Sequence, residues 1–254
     1  MKTPIIQMAL ALCLIGFFTG PLQVLSLQKI PLDMAKNSVD DQYLGCNPMR
    51  ELKLQQPGYL PIPQEYRATW EKAQWHWAKL SQTIGYLNPV YGTAVVAYTM
   101  ASSLYSDFNW AVHKAGKSQY SYNQFAFKDF HFLLTKVVKA RKIPGKCYNV
   151  FRGVKGIRFN VRFRQIVRFG QFASTSLVKD VAQKFGEDTF FSIKTCHGVP
   201  IHDLSYYPSE MEVLIPPYEK FVVIYHGKGH KGVTIQLESR GVYSHINCEV
   251  LQGH

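Results

Sequence analysis

No two cysteines stand two residues apart anywhere in the 254-residue sequence, so the usual spacing of a structural zinc site is missing. No Asn-x-Ser/Thr triplet occurs, which excludes an asparagine-linked glycan. Apolar runs stop short of the ~20 residues of a membrane-spanning helix. No internal repeat or low-complexity tract is evident, which argues against a solenoid or a disordered arm. Acid is missing from one long interval. Between Asp129 and Asp180 there is no Asp or Glu, while twelve Lys and Arg lie from Lys136 to Lys179. The whole chain carries a formal charge of +12, so everything outside that interval balances to zero. Such a zone is expected to attract an anion: a nucleotide phosphate, an acidic protein surface, nucleic acid or a headgroup.

Near the start stand Lys2 and a nearly unbroken apolar run from Ile5 to Phe18, followed by Gly20, Pro21 and Ser26. This reads as a signal peptide over 1–26, cleaved after Gly20 or Ser26, with an uncleaved anchor as the alternative. Its removal takes Cys13 away and leaves Cys46, Cys147, Cys196 and Cys248. Four cysteines in a secreted chain imply two disulfides, with three possible pairings. No apolar tail follows Cys248, so no GPI signal is expected. The reading is a secreted, extracellular protein with a single domain over 27–254, mainly helical over 27–146 and mainly β over 147–254.

The hydrophobic pattern supports that division. A short helical piece is expected near Val39 to Leu44. Tyr66, Trp70, Ala73, Trp77 and Leu80 recur at helical spacing, with Pro63 near the start and Gly85 beyond the end. Further helices are expected over 93–105, 108–115 and 128–141. From Cys147 onward the runs are short and β-rich: 148–151, 161–169, 171–175, 189–195, 211–215, 220–226 and 232–237, with one short helix over 178–185. Helices first and strands later predict an α+β fold. Over 161–169, Val161, Phe163, Val167 and Phe169 share one parity, and Arg162, Arg164 and Arg168 the other. As a strand this would carry a cationic face. His226 and His230 have metal-like spacing but sit in a glycine turn, and no metal is expected.

Three short segments carry chemistry. In Glu210-Met211-Glu212, a strand over 211–215 would send both acids to one face and Met211 to the other. Paired carboxylates can divide labour, one stabilising a cation and the other handling a proton. Arg152-Gly153 ends a strand with a guanidinium suited to a diphosphate and a residue that lets backbone come close. Phe172-Ala173-Ser174-Thr175-Ser176 is a strand ending in hydroxyls.

Together and in this order these segments resemble the R-S-E class of mono-ADP-ribosyltransferases, specifically the vertebrate arginine-specific ecto-enzymes. The likeness extends through Asp40-Asp41-Gln42-Tyr43, Phe130 to Thr135, Tyr148 to Gly153, Phe169 to Ser176 and Glu210 to Pro217. It implies a two-sheet β-sandwich core that binds NAD, and transfer of ADP-ribose to arginine with release of nicotinamide. NAD (or NADP) would be substrate, with no prosthetic group. Arg152 would hold the pyrophosphate or ribose, Gly153 would approach the nicotinamide end, and Ser174 would brace the ribose and the catalytic Glu212. Glu210 would select arginine, and Tyr206 and Tyr207 would touch the acceptor. Phe185 either stacks on nicotinamide or is a helix-end core residue. The resemblance also implies the nested disulfides Cys46–Cys248 and Cys147–Cys196. Partners would be proteins bearing arginine or small guanidino acceptors, with no nucleic acid and no stable membrane anchor, the protein being a monomer. Where the family often has three consecutive acids, this chain has Met211 in the middle. An NAD glycohydrolase on the same scaffold is the near alternative, and a non-catalytic basic binding protein the distant one.

Overall fold

A computed structural model describes residues 27–46, 49–54, 56–84 and 87–251. The expected signal peptide and the helix stop at Gly85 lie outside these residues. The helical half contains α1 (Met49–Leu54), α2 (Arg67–Ile84), α3 (Pro89–Thr99), α4 (Ser103–Lys114), α5 (Gln119–Asn123) and α6 (Lys128–Arg141). A strand β1 (Gln28–Pro31) precedes them, and α7 (Lys179–Gln183) lies within the β half.

The stripe Trp70, Ala73 and Trp77 faces inward from α2, as its period predicts. Helix α3 is apolar on every side and is buried from Gly92 to Tyr98, so it forms the centre of the helical half. Asn88 caps it by accepting the Val90 N–H, with Pro89 at the first helical position. A Cβ at Gly92 would come within 2.4 Å of the Trp77 ring, so glycine permits the close α2–α3 contact. Phe108, Phe130, Leu133 and Leu134 complete this core, each contributing about 1.5–3 kcal/mol by its burial.

The β half comprises β2 (Tyr148–Val154), β3 (Ile157–Asn160), β4 (Ile166–Val167), β5 (Ala173–Ser176), β6 (Thr189–Thr195), β7 (Val199–Pro200), β8 (Glu212–Ile215), β9 (Glu219–Lys228), β10 (Val233–Val242), β11 (Ile246–Asn247) and β12 (Val250–Leu251). Eight strands run in the order β4-β9-β10-β6-β2-β5-β8-β7, and β1 pairs with β3 in parallel. Strand β2 pairs with β6 along seven residues but meets β5 at the single pair Phe151–Ser176. The ladder is therefore thinnest between a group of five strands and a group of three. The α+β class with a helical first half and a two-sheet β core is the fold observed. Strand β8 is buried on both faces: Leu214 joins the helical core, while Val213 and Ile215 join the core of the β half. Two disulfides close, Cys46–Cys248 and Cys147–Cys196, the nested arrangement.

Four local expectations are corrected. Residues 39–44 form no helix, because Asp40 and Asp41 serve the far end of the chain instead. Asp41 accepts the Cys248 and Glu249 N–H groups, and Asp40 accepts those of His245 and Ile246. The helix expected over 93–105 breaks after Thr99 and restarts at Ser103. The strand expected over 161–169 shrinks to two residues, since Arg164 turns the chain at φ 63°. Its cationic face dissolves as a result. Arg168 is wholly buried, 2.5 Å from Asp40, and also donates to the carbonyls of Met34, Ala35 and Tyr243. The basic interval is likewise dispersed rather than one patch. Lys136 pairs with Glu51 and Arg141 with Asp203, whereas Arg152 and Lys155 line a cavity between the helical and β halves.

Replacing Arg168 by Ala should cost about 3–5 kcal/mol, because it strands a buried carboxylate. The urea midpoint reports it. His245, Nδ1 2.8 Å from Asp40, and Arg168 hold the Asp40 carboxyl below its usual range despite burial. That contribution is present above the ordinary aspartate range and fades as the pH falls through the depressed folded value.

Candidate active site

A cavity of about 450 Å³ opens where α3 and α4 meet the ends of β2, β5 and β8. Arg152, Gly153, Ser174, Glu210, Glu212 and Phe185 all line it. The thin junction of the ladder explains the opening. Arg152 reaches across it, and its Nη1 donates to the Ser174 carbonyl at 2.6 Å. The side chain thus clamps β2 to β5 while its remaining donors stay available.

Glu210 and Glu212 come together by a route other than alternation along a strand. Residues 208–210 form a single 3-10 turn begun by Pro208, and β8 starts only at Glu212. Between them Met211 is left-handed, at φ 49° and ψ 45°. For a residue with a Cβ that conformation costs about 1–2 kcal/mol. Surrounding bonds hold it there. The Ser176 hydroxyl donates to the Glu210 carbonyl at 2.7 Å, Leu177 N–H to the Met211 carbonyl at 3.1 Å, and Ile201 N–H to the Glu212 carbonyl at 2.9 Å. The reversal turns both acids into the cavity and keeps Met211 out of its lining.

The two acids differ in setting. Glu212 is only 4% exposed, and burial pushes its carboxyl up to about 7. The Ser174 hydroxyl bond and Arg152 oppose that rise, while the Glu210 charge adds to it. Glu210 is more open, and its smaller upward shift comes from burial alone.

Gly153 and Phe185 are clarified by their neighbours. A Cβ on Gly153 would meet the Ala182 and Gly186 carbonyls at 2.3 Å. Glycine is therefore required for α7 to pack on β2, whatever the cavity holds. Phe185 is 56% exposed at the cavity edge, so it is not a core residue. His226 and His230 are both exposed and lie away from the cavity lining, and no metal-holding cluster occurs among the described residues.

Several lining residues were not anticipated. Tyr98 on α3 is fully buried, and its hydroxyl lies 3.5 Å from Ser174 Oγ, 3.2 Å from Asn109 Nδ2 and 3.2 Å from the Phe172 carbonyl. Met100, Ala101, Ser102 and Tyr105 contribute the wall at the α3–α4 break. The Ser102-Ser103 pair is a helix-start signal within the span 93–105.

A sequence profile described as NAD:arginine ADP-ribosyltransferase matches residues 32–245. The chain is 46% identical to the chicken (Gallus gallus) NAD(P)(+)–arginine ADP-ribosyltransferase 2, over 87% of this chain and 73% of that one. It is 41% identical to the human GPI-linked NAD(P)(+)–arginine ADP-ribosyltransferase 1, over 89% and 76%. The fold superposes on the crystal structure of the eukaryotic mono-ADP-ribosyltransferase ART2.2 with TM-score 0.73 and 36% identity, covering 87% of this chain and 98% of that one. Mutants of that enzyme have been solved in complex with NADH and with NAD. A profile spanning most of the chain, relatives above 40% identity and a matching fold agree: this chain belongs to the NAD:arginine ADP-ribosyltransferase family.

Proposed function

We infer that this protein transfers ADP-ribose from NAD to arginine side chains and releases nicotinamide. The observation that carries the reading is the convergence of Arg152, Ser174, Glu210 and Glu212 on one cavity, in a chain of this family. NAD enters as substrate, with its pyrophosphate or ribose on the free donors of Arg152 and its nicotinamide end toward Gly153 and Phe185. A guanidinium recognises such an anion through paired donors.

The first step breaks the bond between ribose C1 and the nicotinamide nitrogen. The bonding pair leaves with nicotinamide, which departs neutral, and positive charge develops on the ribose. Ionised Glu212, bonded to the ribose 2′-hydroxyl, stabilises that charge within a buried site, where a fixed negative group is most effective. The Ser174 hydroxyl orients Glu212. An arginine nitrogen then forms the new bond to C1, and Glu210 accepts the proton it loses. Tyr207, which also lines the cavity, sits at the acceptor side.

We also take the site of action to be extracellular. Two disulfides persist in oxidising compartments, and no described helix is long and apolar enough to cross a membrane.

Nicotinamide release, followed with and without agmatine as a small guanidino acceptor, tests the assignment. Agmatine should stimulate release and appear as ADP-ribosyl-agmatine. Release without stimulation or adduct would identify a glycohydrolase with water as acceptor, and no release at all would leave a binding protein.

A further inference from the structure

On α2, Lys72, Trp75, His76 and Lys79 lie at i, i+3, i+4 and i+7, so they share one face. It is the face opposite the buried stripe. Trp75 is 62% exposed there, with the Lys79 ammonium 3.4 Å from its ring centroid. This face is continuous with the turn that carries Glu210. The His76 ring lies 4.7 Å from Tyr206, Tyr206 lies 5.0 Å from Tyr207, and Lys72 stands 5.4 Å from the Tyr206 ring. Tyr207 accepts the Glu210 N–H through its carbonyl at 3.1 Å. A bond from Tyr206 N–H to Thr99 Oγ1, 2.9 Å, secures the loop against the helical half.

Charge is segregated across this surface. Glu210 supplies negative charge at the cavity, whereas the α2 face is cationic. Neither Lys72 nor Lys79 has an acidic partner among the described residues, and neighbouring Glu71 is engaged instead with Arg67 at 3.9 Å. Burial and the Lys79 charge both disfavour protonation of His76, so it serves as a ring platform between the lysines. A protein segment fitting both ends has a cation at the cavity and anions further out. Aromatic rings beside lysines that lack an acidic partner supply contact area for such a segment.

We propose that the α2 face of Lys72, Trp75 and Lys79, continued by Tyr206 and Tyr207, is an acceptor-docking surface that selects arginines flanked by acidic residues in target proteins. The inference rests on arginine transfer as the reaction and names its substrate class. An extended segment advances ~3.3 Å per residue. The ring steps from Tyr207 to Tyr206 and from Tyr206 to His76, 5.0 and 4.7 Å, together match about three such residues, so the selected acids stand three or more positions from the modified arginine.

Two single-arginine peptides test the proposal, one with Glu at positions three to five from the arginine and one with Gln there. The wild-type kcat/KM should favour the acidic peptide roughly tenfold, and the preference should shrink with added salt. In Lys72→Glu/Lys79→Glu the preference should vanish or invert, while agmatine turnover stays within about twofold, since agmatine is too small to reach α2. Equal kcat/KM for the two peptides in the wild type would overturn the proposal, as would a preference that survives the double replacement. Failure of agmatine itself as an acceptor would instead overturn the transferase reading beneath it.

Discussion

Replacing Glu210 by Gln should leave NAD hydrolysis within about threefold of wild type and lower transfer to agmatine by about 100-fold or more, the range expected for loss of a positioned base. The amide keeps the shape of the side chain and cannot take a proton. In the proposed reaction bond breaking at the ribose depends on Glu212, in the buried part of the cavity, and is untouched. Glu210 sits on the open turn ahead of β8 rather than within it, where the proposed reaction brings the acceptor. Its raised pKa places loss of transfer on the acid side: as the pH falls, Glu210 takes up a proton and can no longer accept one from arginine. Parallel assays of nicotinamide release and ADP-ribosyl-agmatine formation separate the two activities. Equal loss of both would contradict the division of labour.

Glu212→Gln should lower every NAD-dependent activity by about 10²–10³-fold, the cost of removing one preorganised electrostatic partner of a developing charge. The same replacement should stabilise the fold at alkaline pH. Glu212 has its carboxyl raised from an ordinary 4.5 to about 7 by burial. Between those values the folded chain holds a proton that the unfolded chain has lost. Stability therefore falls as pH rises through that window, and the full penalty applies above it. A shift of this size is worth about 3 kcal/mol. At pH 8.5 the Gln variant should melt about 5–10 °C above wild type, and near pH 4 the difference should close. In wild type, kcat/KM should fall on the acid side with an apparent pKa near 7, because the free enzyme must ionise Glu212. Melting curves at the two pH values and the pH profile check both halves. A variant that keeps wild-type NAD turnover would remove Glu212 from the chemistry.

Legibility in the sequence followed the range of the forces involved. Helix α6 was readable to the residue, since Phe130, Leu133, Leu134, Val137 and Val138 repeat with the helical period and Pro144-Gly145 closes the run. Strand β6 was equally clear from its alternation. The segment 161–169 alternated just as well and nonetheless kept only the two strand residues Ile166 and Val167. Burial of Arg168 against Asp40, 128 residues away in sequence and itself bonded to His245, outweighed its local preference. The α3–α4 break was missed because apolar residues continue through it, and only the Ser-Ser pair marks the restart.

The amino-acid order by itself determined that the first half is helical and the second half β, and that Arg152, Ser174, Glu210 and Glu212 occur in one family order. The first property rests on local periodicity, and the second on the resemblance of three short motifs to a known family. Tertiary structure alone decided how the two acids meet. Contacts from Ser176, Leu177 and Ile201 hold Met211 in a left-handed conformation that its own side chain disfavours, so Glu210 faces the opening while Glu212 lies buried. Tertiary structure also set Tyr98 behind Ser174 and joined the cationic face of α2 to the turn that carries Glu210. These relations depend on residues far apart in the chain, and no local pattern encodes the distance between them.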